Sequence, residues 1–162
     1  MSEKLKIGLI GYGKAGRAVA SVLENDPKVS LEWVVSRTGK YNDLSHTPSG
    51  TPLVQVSDDM FDHLLEDKPV EAVIDFSSAK SVYLYGDAVA RHHIMVVTAI
   101  SAYTSDEHDY LYQLGEQTKV LCSPNITLGI NFLMIAATLL RRMAPFADVA
   151  IMEQHFRGKP EV

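Results

Sequence analysis

The chain has 162 residues, of which 46% are hydrophobic and 22% charged, and a formal net charge of −5; this suits one domain, or one domain with part of another, with core enough to fold unaided. The acidic balance and the scatter of Lys40, Arg91, Arg141 and Arg142 exclude a basic nucleic-acid-binding face, and the lone Cys122 excludes an intrachain disulfide and a thiolate metal site. Met1 to Lys6 lacks an apolar signal core, and no run reaches the roughly 18 apolar residues of a membrane helix, so a soluble, cytoplasmic protein without a membrane partner is expected.

Short apolar runs alternate with helical patterns. Leu5 to Ile10 reads as a strand, and Ala15 to Leu23 as a helix with Ala15, Ala18, Val19, Val22 and Leu23 along one face. Val29 to Ser36 reads as a second strand, and a third lies near Leu53 to Val56, after a turn-rich stretch from Tyr41 to Pro52. Asp58 to Glu66 reads as a helix whose first two carboxylates favour the positive end of the helix dipole. Val70 to Phe76 is an apolar strand broken only by Glu71 and Asp75, Ala79 to His92 a helix, and Ile94 to Ala99 a further strand. Thr104 and Glu107 have capping-box spacing and open a helix ending near Gln117; Val120 to Cys122 is a short buried strand. This alternation predicts an α/β fold, a doubly wound parallel sheet with helices on both faces. The pattern changes at Pro124 to Gly129. A helix from Asn131 to near Ala144 and a strand from Val149 to near His155 then read as the start of a second domain.

Gly11-Tyr12-Gly13-Lys14-Ala15-Gly16 has G-x-G-x-x-G spacing between a predicted strand and a predicted helix. There Gly11 permits a tight turn, Gly13 lets the backbone approach a pyrophosphate, and Gly16 allows close packing of the helix. The helix N-terminus, with Lys14 and Ala15, offers amides and partial positive charge to phosphates. Residues 1–126 are therefore read as a dinucleotide-binding, Rossmann-type domain, and 127–162 as the start of the next. An NAD-preferring site carries a carboxylate at the end of the second strand, about twenty residues on. Here that segment reads Val34-Val35-Ser36-Arg37-Thr38. Ser36 can bond a 2′-phosphate and Arg37 can pair with it, each such bond contributing about 1.5–3 kcal/mol, so NADP(H) is expected in preference to NAD(H). The alternative is that Arg37 is solvated or stacks on adenine.

Ligands of open α/β sheets sit beyond the carboxyl ends of the strands. Those ends supply Phe76 and Ser77, Thr98, Ala99 and Ile100, and Ser123, Pro124 and Asn125, which suit a flat nicotinamide ring and read equally as ordinary loop residues. Farther on, Glu153-Gln154-His155-Phe156-Arg157-Gly158-Lys159 puts His155 and Lys159 within reach of one region, a combination suited to an anionic substrate and proton donation. Spacing alone favours a plain polar strand end over that combination. No metal site is expected, because His92 and His93 are adjacent on a helix and point apart. His46, His63 and His108 read as solvated, Cys122 as core, and Met134 and Met143 as helix packing.

Four segments together resemble bacterial dihydrodipicolinate reductases of lysine and diaminopimelate biosynthesis: Gly11 to Arg17, Ile74 to Ser77, Ser123 to Asn131, and Glu153 to Lys159. The third resembles the family's A-x-N-x-S-x-G-V-N hinge and the fourth its E-x-H-H-R-x-K signature. The resemblance implies NAD(P)H-dependent hydride transfer to a cyclic dicarboxylate of imine type. His155 would match the acid–base histidine, Lys159 the proton-donating lysine, and Phe156 a substrate-side position. It also implies that the second domain is an α+β substrate-binding and oligomerisation domain, and that the protein is a homo-oligomer, a tetramer. Three features depart from the family. Thr98-Ala99-Ile100-Ser101 stands for G-T-T-G, Phe156 replaces the second histidine, and the sequence ends at Val162, before the P-S-G-T segment that binds a substrate carboxylate. Pro48-Ser49-Gly50-Thr51 repeats those letters within a turn. Two other readings stand beside the reductase: a non-catalytic NADP(H)-binding or regulatory module, and a dehydrogenase for another small substrate.

Overall fold

The computed structural model describes residues 3–36, 45–55, 60–150 and 152. They fall into two units, Met1–Pro124 and Asn125–Val162. In the first unit the strands are β1 (Leu5–Ile10), β2 (Val29–Val35), β3 (Leu53–Val54), β4 (Ala72–Asp75), β5 (Met95–Thr98) and β6 (Val120–Cys122). Between them run α1 (Lys14–Asn25), α2 (Phe61–Asp67), α3 (Val82–Arg91) and α4 (Ser105–Gly115). The strands pair in parallel in the order β3-β2-β1-β4-β5-β6. That is the Rossmann order, in which two mononucleotide-binding halves meet where the order reverses, between β1 and β4.

The elements follow the predicted ones with instructive differences. The predicted helix from Ala79 is a 3-10 turn, Ala79–Ser81, leading into α3. The capping box forms at α4, where the Thr104 amide donates to Glu107 Oε2 at 2.7 Å. The expected helix from Asp58 begins at Phe61; Asp58 and Asp59 lie outside the described residues.

Two clusters of side chains hold the sheet. The larger brings Ile10, Trp33, Val35, Val73 and Val96 from the strands against Phe61, Leu65, Val82, Tyr85, Val89, Leu111 and Leu114 of α2, α3 and α4. The smaller joins Leu9, Val34 and partly buried Leu31 and Ile74 to Tyr12 and Ala20 on the α1 side. Side chains alternate faces along a strand, so Leu31 and Trp33 would ordinarily share one. Here Ile7 pairs with Leu31 but Gly8 pairs with Trp33, leaving Glu32 as an extra residue. This bulge turns Trp33 into the larger cluster. The ring lies so close over β1 that a Cβ at Gly8 would fall 2.1 Å from it, and its Nε1 donates to the Lys68 carbonyl at 3.1 Å.

Two expectations about burial need correction. The buried residues of α1 are Gly16 and Ala20, with Val19 and Leu23 partly covered, whereas Ala15, Ala18 and Val22 are exposed. The 16-20-23 stripe faces the sheet, and the alanines that extended the apparent apolar face lie to its side. Nor is β6 fully buried: Leu121 is 59% exposed, and β5 alternates half-buried and buried residues. Among the described residues of this unit, α1 packs on β1 and β2.

The second unit contains α5 (Leu128–Met143), none of whose residues is buried. It starts one turn before the predicted Asn131, whose Nδ2 donates to the carbonyls of Asn125 at 2.6 Å and Thr127 at 3.0 Å, closing the turn ahead of the helix. Met134 and Met143, read as packing residues, are exposed. Val149, Ala150 and Met152 are not in a strand, and the rest of the strand expected to near His155 lies outside the described residues.

Phe61 is fully buried between Trp33, at 5.8 Å edge-on, and Tyr85, at 6.1 Å. Phe61→Ala is expected to lower the unfolding free energy by about 3–5 kcal/mol, the range for removing a buried aromatic ring. Urea unfolding followed by the fluorescence of the only tryptophan reads this directly. A loss below about 1 kcal/mol would contradict this description of the core.

Candidate functional site

The end of β1 is braced from both sides. The Gly11 amide donates to the Val35 carbonyl at 2.8 Å, and the Phe76 amide donates to the Ile10 carbonyl at 2.9 Å. Between these bonds Gly11 has φ +98°, a conformation open to glycine and strained for other residues. A Cβ there would also lie 2.7 Å from the Phe76 carbonyl oxygen and 2.8 Å from the Ser77 nitrogen. The turn after β1 thus runs directly against the loop after β4, at the point where strand order reverses.

Five residues on, Gly16 is buried against that turn, where a Cβ would come within 2.0 Å of the Gly11 carbonyl oxygen. The start of α1 is therefore held to the end of β1. Gly13 is the N-cap; a Cβ on it would meet nothing within 4 Å, and its carbonyl accepts from the Arg17 amide at 3.0 Å. Lys14 and Ala15 are exposed beside it. The cap makes no side-chain hydrogen bond to the helix, and the first turn of α1 has no acidic residue to repel an anion. The residues present fit a pyrophosphate: an open backbone approach at Gly13, followed by a twelve-residue helix with its positive end toward it.

The other strand ends lie along the same edge. Ser36 is buried, and its amide donates to the Val54 carbonyl at 3.0 Å. Phe76, Ala99 and Ile100 are half-buried and Ser77 is exposed. The Ala99 amide reaches the Asp75 carbonyl at 3.2 Å and the Ser123 amide the Thr98 carbonyl at 2.9 Å, so the loops after β4, β5 and β6 are stitched together. Pro124 closes the first unit and Asn125 opens the second. Thr98 is fully buried, and its hydroxyl bonds Tyr103 at 2.7 Å beneath the loop, which leaves its backbone at the edge. Arg37, His155, Phe156 and Lys159 lie outside the described residues.

Sequence reasoning passed over Asp75. Its carboxyl is fully buried and accepts from the Ser77 amide at 2.8 Å, the Ser77 hydroxyl at 2.5 Å and the Tyr85 hydroxyl at 2.9 Å. A charged residue interrupting an apolar strand was the one signal available. Cys122 is half-buried against the larger cluster, and burial pushes its thiol up, which fits its reading as core rather than nucleophile. The Pro48–Thr51 segment is a turn, as read, and it has a partner. Thr47 and Thr51 hydroxyls donate to the Glu24 carboxylate of α1, the latter at 2.8 Å. Partial burial alone would raise the Glu24 carboxyl, but the bonds from Thr47, Thr51 and Ser49 together hold it below its ordinary value. A cleft lined by Glu71, His92, His93 and Lys119 lies at the opposite ends of the strands, where ligands of this fold do not bind.

Gly11→Ala is expected to destabilise the chain by more than the roughly 1–3 kcal/mol of backbone strain alone, because the methyl also meets the Phe76 backbone. Thermal and urea unfolding measure it; a variant of wild-type stability would contradict the packing of this turn.

A sequence model described as dihydrodipicolinate reductase, N-terminus, matches residues 5–126. The 4-hydroxy-tetrahydrodipicolinate reductase of Oleidesulfovibrio alaskensis is 27% identical over 150 residues, covering 92% of this chain and 56% of that protein. The chain therefore spans about half the length of the reductases it matches. Among solved structures, dipicolinate-bound dihydrodipicolinate reductase from Paenisporosarcina sp. TG-14 superposes with a TM-score of 0.70 at 16% identity, over 86% of this chain and 54% of that one. GenD2 from gentamicin A biosynthesis, in complex with NAD, superposes with a TM-score of 0.65 at 23% identity, over 89% and 41%. These two show the shared fold. With its tight glycine turn at the β1/β4 crossing and three quarters of its length inside the matching model, the chain belongs to the dihydrodipicolinate reductase family.

Proposed function

We propose that this chain binds NADP(H) across the carboxyl ends of β1, β4 and β5 and contributes to the reduction of a cyclic dicarboxylate of imine type. The observation that supports this best is the Gly11 turn, whose positive φ and contact with Phe76 leave open backbone at Gly13 facing the start of α1. In this reading the amides from Gly13 to Gly16 hold the pyrophosphate. Ser36 and Arg37 hold the 2′-phosphate, and Phe76, Ser77, Ala99, Ile100, Ser123, Pro124 and Asn125 border the nicotinamide. A reduced nicotinamide held there supplies the hydride. Lys159 donates the proton that balances it, His155 serves as its acid–base partner, and Phe156 lies on the substrate side. The family supports a homo-oligomer, a tetramer, and the exposed apolar surface of α5 suits burial by further protein.

Ile100 favours a second reading, since it places a branched apolar side chain where the family has a hydroxyl. In that reading the chain binds the cofactor without reducing anything. One pair of measurements separates the two: fluorescence titration with NADPH and NADH, and NADPH oxidation with the dihydrodipicolinate-type substrate. The reductase reading predicts NADPH bound more tightly than NADH, a preference lost in Arg37→Ala, and turnover reduced about 10²–10⁴-fold in Lys159→Met with cofactor affinity nearly unchanged. Binding without oxidation supports the second reading, and no binding of either dinucleotide overturns both.

A further inference from the structure

Asp75 is buried at the floor of the site, yet none of the roles above uses its carboxyl. Tyr85 Oη donates to Asp75 Oδ2 at 2.9 Å, while Tyr103 Oη lies 2.7 Å from Thr98 Oγ1. A hydroxyl has one proton to give. The Tyr85 proton is thus committed to the carboxylate, whereas in the Thr98–Tyr103 pair either hydroxyl can donate. Burial pushes both phenols up, Tyr103 to about 12, so both remain protonated donors at neutral pH. On the other oxygen of the carboxylate, Ser77 adds its amide and hydroxyl.

The placement of these links matters more than their number. Ser77 lies just after β4, Thr98 ends β5, and Tyr103 lies in the loop after β5. The Tyr85 ring comes up from α3 within the larger cluster, and only its hydroxyl reaches this layer. The two sets of bonds therefore hold, from beneath, the loops of the half-sheet that carries the second mononucleotide of a bound dinucleotide. The Gly11 turn is held by backbone bonds to Val35 and Phe76 and by the contact of Gly16 with Gly11, none of which uses these hydroxyls.

We propose that Tyr85 and Tyr103 are positioning residues for the nicotinamide half of the cofactor, acting through Asp75 on Ser77 and through Thr98 on the loop after β5. This rests on the dinucleotide reading above. Pre-set loops spare a ligand the ordering that it would otherwise have to impose, so loosening them weakens the contacts of that half alone.

Tyr85→Phe removes one hydroxyl and keeps the ring that packs on Phe61. The test measures dissociation constants for NADPH and for 2′-phospho-ADP-ribose, which lacks the nicotinamide, with thermal melts alongside; if the wild type prefers NADH, that cofactor and ADP-ribose take their places. Tyr85→Phe is expected to weaken the whole cofactor about fivefold to twentyfold, the loss of one buried hydrogen bond, and to leave the fragment within about twofold. Tyr103→Phe, which removes the bond to Thr98 at a half-buried residue, is expected to show the same split and serves where Tyr85→Phe does not fold. Equal losses for cofactor and fragment, or no loss for either, overturn the positioning role while leaving dinucleotide binding intact. A wild-type chain that binds neither cofactor overturns both.

Discussion

Gly11 occupies a space with no room for a side chain, bounded by the carbonyl of Phe76 on one side and by Gly16 on the other. Because its backbone turns at φ +98°, the chain leaves β1 and enters α1 within a few residues. The helix start therefore faces the gap between the sheet's two halves. Without that close approach the loop after β4 would stand off from β1, and the open backbone at Gly13 would face a wider crevice. Every residue assigned to the cofactor takes its position from this contact or from the strands it aligns.

The core and the site share residues rather than merely adjoining. The bulge at Glu32 sends Trp33 toward α2, where Phe61 packs against it and against Tyr85. Tyr85 then carries the packing outward, since its ring belongs to the hydrophobic cluster and its hydroxyl to the Asp75 network. A buried carboxylate is costly unless hydrogen bonds satisfy it. Here the donors come from the loop after β4 and from the core beneath it. The stability of the larger cluster is thus transmitted to the strand ends assigned to the cofactor. Among the described residues the cluster on the α1 side holds four buried ones, Leu9, Tyr12, Ala20 and Val34, and the Gly11 turn there is held chiefly through backbone contacts.

What the sequence revealed was local in nature. The glycine spacing from Gly11 to Gly16, the capping box at Thr104 and Glu107, and the apolar runs of β1, β2 and β4 each declare themselves within a few residues. The long-range features do not. Asp75, Tyr85, Thr98 and Tyr103 meet only after three elements pack, and nothing at any one position signals the others. The alternation of β5 was hidden because Met95, Val96 and Val97 are all apolar, so burial on one face reads like burial on two. On α1, small alanines beside Val22 widened the apparent apolar stripe beyond the surface that the sheet covers. His155 and Lys159 stood out as a polar cluster, but their roles and that of Phe156 came only through likeness to a family signature, and all three fall outside the described residues.

In the proposed reading a dinucleotide lies across the β1/β4 crossing of this chain. Amide hydrogen exchange with and without saturating NADPH tests this at the level of single segments. Slower exchange is expected in peptides covering Gly11 to Arg17, Phe76 to Ser78 and Ala99 to Ser101, with little change around Glu71, His92 and Lys119 at the opposite strand ends. Protection confined to that opposite end, or NADPH binding with no change at the Gly11 turn, would contradict it.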